Sequence, residues 1–281
     1  MPIRIVDTYD QIRQLFLHTP FDLHRWRTYA ACVSPQLPDK CERDARDYDF
    51  QNEVMSTIAK SLTQHDQLAL AHKSFCSATQ ALLHHANDWF DDSADITIVL
   101  YLGLCNGAGW ATTLDSGDAI LLGIEKIVEL SWCDDVSMRA LIFHEMGHLW
   151  HKTERGSVIC ASSQREKSIL PLYQEGVAMV FEQTLCHDEC YYHQKAQGDW
   201  LNWCVANERR IKAEYLKRLN TNQSTQDFFG DWRHFEGYCD VGYYLGCRFI
   251  RHLQKTYSMD KIACLPLSLL DQEFTAFAEL F

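Results

Sequence analysis

The chain has 281 residues, 47% of them hydrophobic, and a net charge of −12 at pH 7. This length and apolar content allow a globular protein with a substantial core. The negative charge, with no basic stripe along the chain, argues against a nucleic-acid partner. The first residues do not resemble a secretion signal, and no apolar window reaches about 18 residues. We therefore expect a cytoplasmic protein without a membrane span. A protein exported by a specialised secretion system would also lack a recognisable N-terminal signal, so this route stays open.

The first third of the chain has the apolar spacing of helices. Its predicted elements are short helices over 8–17 and 21–33, a loop over 35–49, and longer helices over 51–63 and 66–90. We expect an N-terminal helical region over residues 1–92 and a second region over 93–281. One continuous globular unit is also compatible with these patterns.

Two β-rich stretches follow, over 95–104 and 119–124, with an Asn-Gly-Ala-Gly turn over 106–109 between them. The first stretch is apolar without alternation, which is typical of a strand covered on both faces. The pair can form a small sheet whose second strand or glycine loop borders a cleft, where an extended peptide adds as a further strand. The alternative, that both strands belong only to the core, stays open.

The most informative feature is formed by His144, Glu145 and His148, an H-E-x-x-H motif on a helix predicted over 135–152. Residues four apart lie one above the other on a helix, so the two imidazoles can point at one cation. A carboxylate beside that cation can take a proton from a metal-bound water, which is the role that the motif implies for Glu145. The alternative is that both histidines are ordinary helix residues.

A catalytic zinc site needs a third protein ligand and an open fourth position. We predict Glu175 as that ligand, near the start of a second helix that begins at Pro171. Gly176, directly after it, lets another backbone approach closely. Taken alone, Glu175 is better explained as a first-turn acid favoured by the helix dipole. Beside the H-E-x-x-H motif, the ligand role is the one we expect.

A helix with His-Glu-x-x-His followed by a helix with Glu-Gly-x-Ala resembles the gluzincin class of zinc peptidases. More narrowly, the chain resembles a bacterial family of predicted zinc-dependent proteases of formerly unknown function, related to a heat-shock-associated protease-like protein. The stretches that carry the likeness are 117–123, the two predicted metal helices and 242–246, so that the resemblance covers about 95–280.

This resemblance implies a zincin-like metallopeptidase domain over 93–281. It implies a zinc ion held by His144, His148 and Glu175, with Glu145 as the base. It also implies a peptide or protein as substrate. The likeness supports the metal site more than any particular substrate.

The chain departs from the better-known gluzincins at Met179, where thermolysin-like enzymes have an aspartate that orients the first histidine. A carboxylate for a ligand histidine must then come from elsewhere, and Glu182 is a candidate, with a solvated helix acid as an equal alternative. Peptide hydrolysis also needs a donor for the oxyanion. We predict Tyr243 for this role, and Tyr238 and His234 are the second choices. The alternative is that these aromatic residues contribute only to packing.

The twelve cysteines are scattered without a Cys-x-x-Cys pair, so reduced thiols are the simplest interpretation. Cys186, Cys190 and His193 are close enough along the chain for a second metal site, although their spacing matches no standard zinc motif. Further amphipathic helices are predicted over 196–219, 241–257 and 269–280.

Together these patterns predict an α+β protein, mostly helical, with a small β-sheet next to the active-site helix. The expected function is zinc-dependent hydrolysis of peptide bonds by water that Glu145 activates. Two alternatives stay open: a protease or toxin-like effector dedicated to a single target, and a non-catalytic zinc-containing binding module. An intact Glu145 favours chemistry, because a purely structural zinc site needs no base and closes its fourth position. The sequence leaves the oligomeric state open.

Overall fold

The computed structural model describes residues 3–85, 95–196, 198–230 and 232–280. The predicted helix end at residue 90 and the expected boundary between residues 92 and 93 lie outside the described residues. Residue contacts group the chain into two compact units, Met1–Glu145 and Met146–Phe281. The division falls inside one long helix.

The first unit contains a four-stranded mixed sheet. Its strands are β1 (Ile3–Asp7), β2 (Ile96–Tyr101), β3 (Gly109–Leu114) and β4 (Gly117–Gly123). The order across the sheet is β1-β2-β4-β3, with β1, β2 and β4 parallel and β3 antiparallel to β4. All of β2 is buried, which agrees with the apolar pattern that predicts it.

The sequence pattern predicts β2 and β4 but not the two edge strands. Most residues of β3 are only partly buried, and β1 pairs with a strand far along the chain, as in the register of Ile3 with Ile96. An edge strand needs little apolar patterning because one of its sides has no neighbouring strand. The sheet therefore incorporates the N-terminal segment, which the sequence pattern alone assigns to a helical region.

Helices α1 to α6 accompany the sheet in the first unit. Their bounds are α1 (Tyr9–Phe16), α2 (Leu23–Val33), α3 (Leu37–Asp44), α4 (Met55–Leu62), α5 (His65–His85) and α6 (Ile124–Glu129). The prediction of a continuous loop over 35–49 is wrong, because α3 lies within it. Leu37, Cys41 and Ala45 recur every four residues and are all buried, and Pro38 occupies the first turn, where no helical hydrogen bond is lost.

Helix α7 (Asp135–Arg155) carries the H-E-x-x-H motif. Asp134 caps its start: Oδ1 accepts the N–H of Val136 at 2.9 Å and that of Ser137 at 3.0 Å, and the Ser137 hydroxyl donates to Oδ2 at 2.7 Å. Partial burial raises the pKa of Asp134, but these hydrogen bonds outweigh it and lower the pKa below its ordinary value. The cap fixes where the motif helix begins.

The described part of the second unit continues α7 and adds six further α-helices. They are α8 (Gln164–Cys186), α9 (Trp200–Ala206), α10 (Glu208–Thr221), α11 (Val241–Leu253), α12 (Met259–Ala263) and α13 (Leu267–Glu279). Helices α8 and α11 cross closely through two glycines. A Cβ on Gly176 would lie 2.5 Å from the carbonyl carbon of Gly246, and one on Gly246 would lie 3.0 Å from the nitrogen of Gly176. The backbone that approaches Gly176 is therefore that of α11.

Helix α8 begins directly after Ser163 and not near Pro171, where the sequence pattern predicts its start. The Ser163 hydroxyl accepts the N–H of Glu166 at 3.1 Å, and the Glu166 carboxylate accepts the N–H of Ser163 at 3.0 Å, which makes a capping box. This signal outweighs the helix-start preference of Pro171, which lies inside the helix and lacks an N–H for the preceding turn. Glu175 is consequently in the middle of α8 rather than in its first turn.

The pKa of Glu166 is lowered to about 2 because its carboxylate accepts hydrogen bonds from the Ser162 hydroxyl and from the N–H groups of Ser162 and Ser163. The folded state thus favours the charged form. The stability this adds is fully present above the ordinary value of 4.5 and is lost as the pH falls towards 2. We expect the Glu166→Gln variant to be less stable than the wild type near neutral pH, with a difference that shrinks on acidification.

Urea unfolding of both proteins, at near-neutral pH and again at about pH 2, measures this difference in the free energy of unfolding. A difference that does not change with pH would contradict the role of the Glu166 carboxylate in the cap.

The architecture confirms the predicted class: an α+β fold, mostly helical, with a small mixed sheet. Over the described ranges, no helix combines the length and the apolar character needed to cross a bilayer.

Candidate metal centre

Three side chains on two helices converge at one point, and we call them the α7–α8 triad: His144, His148 and Glu175. One ligand atom from each lies within 4.8 Å of the other two. His148 Nε2 is 3.4 Å from Glu175 Oε2. His144 is buried, with 6% of its surface exposed, whereas the side chains of the other two are each 22% exposed. The triad is thus held by packing at His144 and reached from solvent at the other two side chains.

The spacing of the triad is compatible with a tetrahedral zinc ion. A nitrogen and an oxygen bound at about 2.0–2.1 Å with a tetrahedral angle lie about 3.3–3.4 Å apart. The separation between His148 Nε2 and Glu175 Oε2 is 3.4 Å. Two imidazoles and one carboxylate are also a donor set that zinc accepts in catalytic sites, where a fourth position stays open for water. The residues present therefore fit the metal that the motif implies.

A glycine in the motif brings α7 and α8 together. A Cβ on Gly147 would lie 2.9 Å from the Cα of Ala178 and 3.0 Å from the Cβ of Phe181. Beside this crossing, the rings of Trp150 and Phe181 stack with their centroids 5.6 Å apart. Because Gly147 precedes His148 and Ala178 lies one turn after Glu175, this close approach sets the distance between the His148 and Glu175 side chains.

Glu145 is buried and anchored on strand β3. Its Oε2 accepts the backbone N–H of Ala111 at 2.6 Å. At Gly109 a Cβ would lie 2.7 Å from the Cγ and 2.8 Å from the Cδ of Glu145, so only glycine leaves room for this carboxylate. The main chain of β3 therefore holds the carboxylate in one orientation, next in sequence to His144. A carboxylate held in this way needs no reorganisation to act as a base.

The structure distinguishes between the two segments that the sequence pattern places beside the site. The sequence pattern assigns this place to residues 119–124 or to the glycine loop, but β4 pairs with β2 on one side and with β3 on the other. Strand β4 therefore lies inside the sheet and cannot pair with an added strand. Strand β3, which begins at Gly109 at the end of the predicted turn, is one of the two edge strands, and it contacts Glu145. Ala111 is a site residue that the sequence pattern does not predict, whereas Gly109 belongs to the glycine loop over 106–109 that the pattern expects beside the site. The signal available for Ala111 is that this glycine loop leads into a β-compatible stretch.

The predicted oxyanion donors lie on or near helix α11. Tyr243 is in its first turn, with its ring 6.1 Å from that of Phe229. Tyr238 stacks on Trp203 at 4.1 Å, and its hydroxyl donates to Asp199 Oδ1 at 3.2 Å. His234 is exposed. These contacts of the two tyrosines are with residues outside the triad, so the oxyanion role of Tyr243 stays a prediction.

Glu182, the candidate partner for a ligand histidine, faces a different imidazole. Its Oε1 lies 2.9 Å from His193 Nε2, and both side chains are almost fully buried. Met179 is likewise buried in the core. The described residues contain two groups of three potential metal ligands: the triad, and Asp7 with His72 and Cys76. The predicted second site is not one of these groups, because no such cluster of Cys186, Cys190 and His193 is found among the described residues.

A third imidazole on α7, His151, belongs to the core. It is buried, and its Nε2 lies 2.9 Å from the hydroxyl oxygen of Tyr173, which itself donates to the carbonyl of Ile262 at 2.7 Å. The ring of His151 therefore donates to Tyr173. Burial, aided by the nearby His148 and Arg155, lowers the pKa of His151 to about 4. A neutral donor fixed to a tyrosine serves packing rather than metal binding.

No protein-family model, curated protein or solved structure matches this chain. Support for a function accordingly comes from the geometry of the triad and of Glu145.

Proposed function

We propose that this protein is a zinc-dependent metallopeptidase in which His144, His148 and Glu175 bind the metal and Glu145 is the general base. The observation that carries the proposal is the convergence of the three candidate ligand atoms within 4.8 Å on two helices, with a buried glutamate next in sequence to His144. An H-E-x-x-H motif on an unrelated helix surface has no reason to meet a carboxylate from another helix at this distance.

When bound, a zinc ion would supply Lewis acidity that lowers the pKa of a coordinated water to about 7. Glu145 accepts the proton of the attacking water and passes it to the leaving amine. The hydrogen bond from Ala111 keeps the carboxylate in place for both transfers. Tyr243 is our candidate to donate a hydrogen bond to the developing oxyanion.

The substrate class that follows is a peptide or a protein. The partial exposure of His148 and Glu175 leaves a side on which a carbonyl can reach the site. A dedicated protease with one target protein uses the same residues, so this alternative differs in specificity and not in mechanism. A non-catalytic binding module has no use for a buried glutamate fixed beside the ligands.

The test combines metal analysis of purified, untagged protein with a peptide-library cleavage assay. We expect bound zinc, cleavage of a subset of peptides, loss of cleavage with a chelator and its return with added zinc. A protein that binds no divalent ion at the triad contradicts the proposal outright. Bound zinc without cleavage of any library peptide or of proteins in a lysate would indicate the binding module instead.

A further inference from the structure

A second group of potential metal ligands lies at the end of β1 and on helix α5. His72 Nε2 is 2.7 Å from Asp7 Oδ2 and 3.5 Å from Cys76 Sγ, and Cys76 Sγ is 4.0 Å from Asp7 Oδ2. His72 and Cys76 are one helical turn apart, so they project from the same face of α5. The three ligand atoms therefore surround one point on the first unit, and this group is separate from the α7–α8 triad.

Tyr9 holds two of these three side chains in position. Its backbone N–H donates to Asp7 Oδ1 at 2.9 Å, which leaves Oδ2 directed at the histidine and the cysteine. Its ring stacks on that of His72, with centroids 4.1 Å apart and planes 13° from parallel. The carboxylate and the imidazole are thus oriented by neighbours that are not ligands, as supporting residues do in metal sites.

The distances are close to those of a zinc site. With Zn–N and Zn–O of about 2.0–2.1 Å and Zn–S of about 2.3 Å, tetrahedral ligand atoms lie about 3.4 Å (N to O) and about 3.6 Å (N to S, O to S) apart. The corresponding distances here are 2.7, 3.5 and 4.0 Å. The nitrogen–oxygen distance is shorter than the tetrahedral value by about 0.7 Å and the oxygen–sulfur distance is longer by about 0.4 Å, so side-chain shifts of less than about 1 Å are needed to reach the tetrahedral values.

The geometry does not suit a nucleophilic Cys-His-Asp relay. In such a relay the histidine uses one ring nitrogen for the cysteine and the other for the carboxylate. Here both Cys76 and Asp7 approach the same atom, Nε2 of His72. A cation is the ligand that reconciles three donor atoms directed at one point.

We propose that Asp7, His72 and Cys76 form a second zinc site, which ties the end of β1 to helix α5. Mixed sulfur, nitrogen and oxygen donors select a borderline ion such as zinc over magnesium or calcium. The side chains of His72 and Asp7 are 29% and 35% exposed, so solvent can supply the fourth ligand. The site is independent of the peptidase proposal, because it shares no residue with the α7–α8 triad.

Cobalt(II) distinguishes the two sites, because a cobalt–thiolate bond gives an intense charge-transfer absorption that a His/His/Glu site cannot produce. We expect the untagged wild-type protein, titrated with cobalt under a non-chelating reductant, to show this absorption. The Cys76→Ser and His72→Gln variants should lose it, and the Cys32→Ser variant, which changes another exposed cysteine, should keep it. Zinc added in stoichiometric amounts should displace the cobalt and abolish the absorption.

The same titration of the His148→Ala variant separates the two proposals. The thiolate absorption should persist there even if the triad binds no metal. Absence of the absorption in the wild type overturns the second site, and so does an absorption that survives Cys76→Ser. Circular dichroism of each metal-free variant checks that it is folded. Because Cys76 is exposed, we expect the metal-free Cys76→Ser protein to unfold at the wild-type temperature.

Discussion

Replacing Glu145 by glutamine is expected to lower the rate of peptide hydrolysis by at least about a hundredfold while the protein keeps its zinc. General bases contribute about 10²–10⁴ to enzymatic rates, and glutamine cannot accept the proton of the attacking water. The amide oxygen can still accept the hydrogen bond that the Ala111 N–H donates to Glu145 Oε2 at 2.6 Å, so the fold should be unaffected. The measurements are kcat/KM on the best library peptide and zinc content by mass spectrometry.

Glu154→Gln is the matched control, since it makes the same change at an exposed position on the same helix. A second variant moves the Glu145 carboxylate without altering it. The backbone at Gly109 is not left-handed, so alanine fits the main chain, but its Cβ would collide with the Cγ and Cδ of Glu145. We expect Gly109→Ala to lose turnover and retain zinc as well. Wild-type rates in Glu145→Gln would remove the proposed base.

Replacing Glu175 by alanine is expected to weaken zinc binding at the triad by more than about a hundredfold. Loss of a partner that merely supports a ligand costs about 10–100-fold in affinity, and Glu175 is proposed as a direct ligand. Its Oε2 lies 3.4 Å from His148 Nε2, and no other carboxylate joins the two histidines in the group that the described residues bring together. Peptide hydrolysis should disappear with the metal at ordinary zinc concentrations.

Thermal unfolding with and without zinc measures this affinity, best in the Cys76→Ser background so that the triad is observed alone. A ligand present at about 100 times its Kd stabilises the folded state by about 2.7 kcal/mol, which the Glu175→Ala protein should not show. The metal-free variant should unfold at the wild-type temperature because the side chain of Glu175 is partly exposed. Glu154→Ala serves as control. An unchanged zinc-induced shift in Glu175→Ala would mean that the third ligand is another residue.

These two variants also discriminate between the proposed enzyme and a binding module. In an enzyme, Glu145→Gln separates turnover from metal binding, whereas Glu175→Ala removes both. In a module that holds zinc for stability, Glu175→Ala alone has an effect. The separation follows from the positions of the two residues, one anchored on β3 and the other within the triad.

Much of the helical part of the fold is predictable because its signals are local. Helix α7 has an aspartate cap and apolar periodicity within about 20 residues of chain, and the sequence pattern predicts its position nearly correctly. The start of α8 is a different case. Its Ser163-x-x-Glu166 capping box is equally local, but Pro171 offers a competing start signal, and only the hydrogen bonds show which of the two wins.

The edge strands and the anchoring of the site are not predictable in this way. Strand β3 has a mixed sequence, and its importance comes from one backbone N–H that meets Glu145 on a helix 34 residues later in the chain. The convergence of Asp7 with His72 and Cys76 is similar, because β1 reaches α5 only through the sheet and the packing around it.

The sequence by itself determines the ligand chemistry: two histidines one helical turn apart, a glutamate between them, and a further glutamate on a later helix. These properties follow from residue type and from the fixed geometry of a helix. The tertiary structure alone decides that Gly147 and Ala178 let α7 and α8 approach, that β3 holds the Glu145 carboxylate, and that a second group of potential metal ligands forms around His72. Those features depend on contacts between distant segments, for which no periodic pattern along the chain provides a signal.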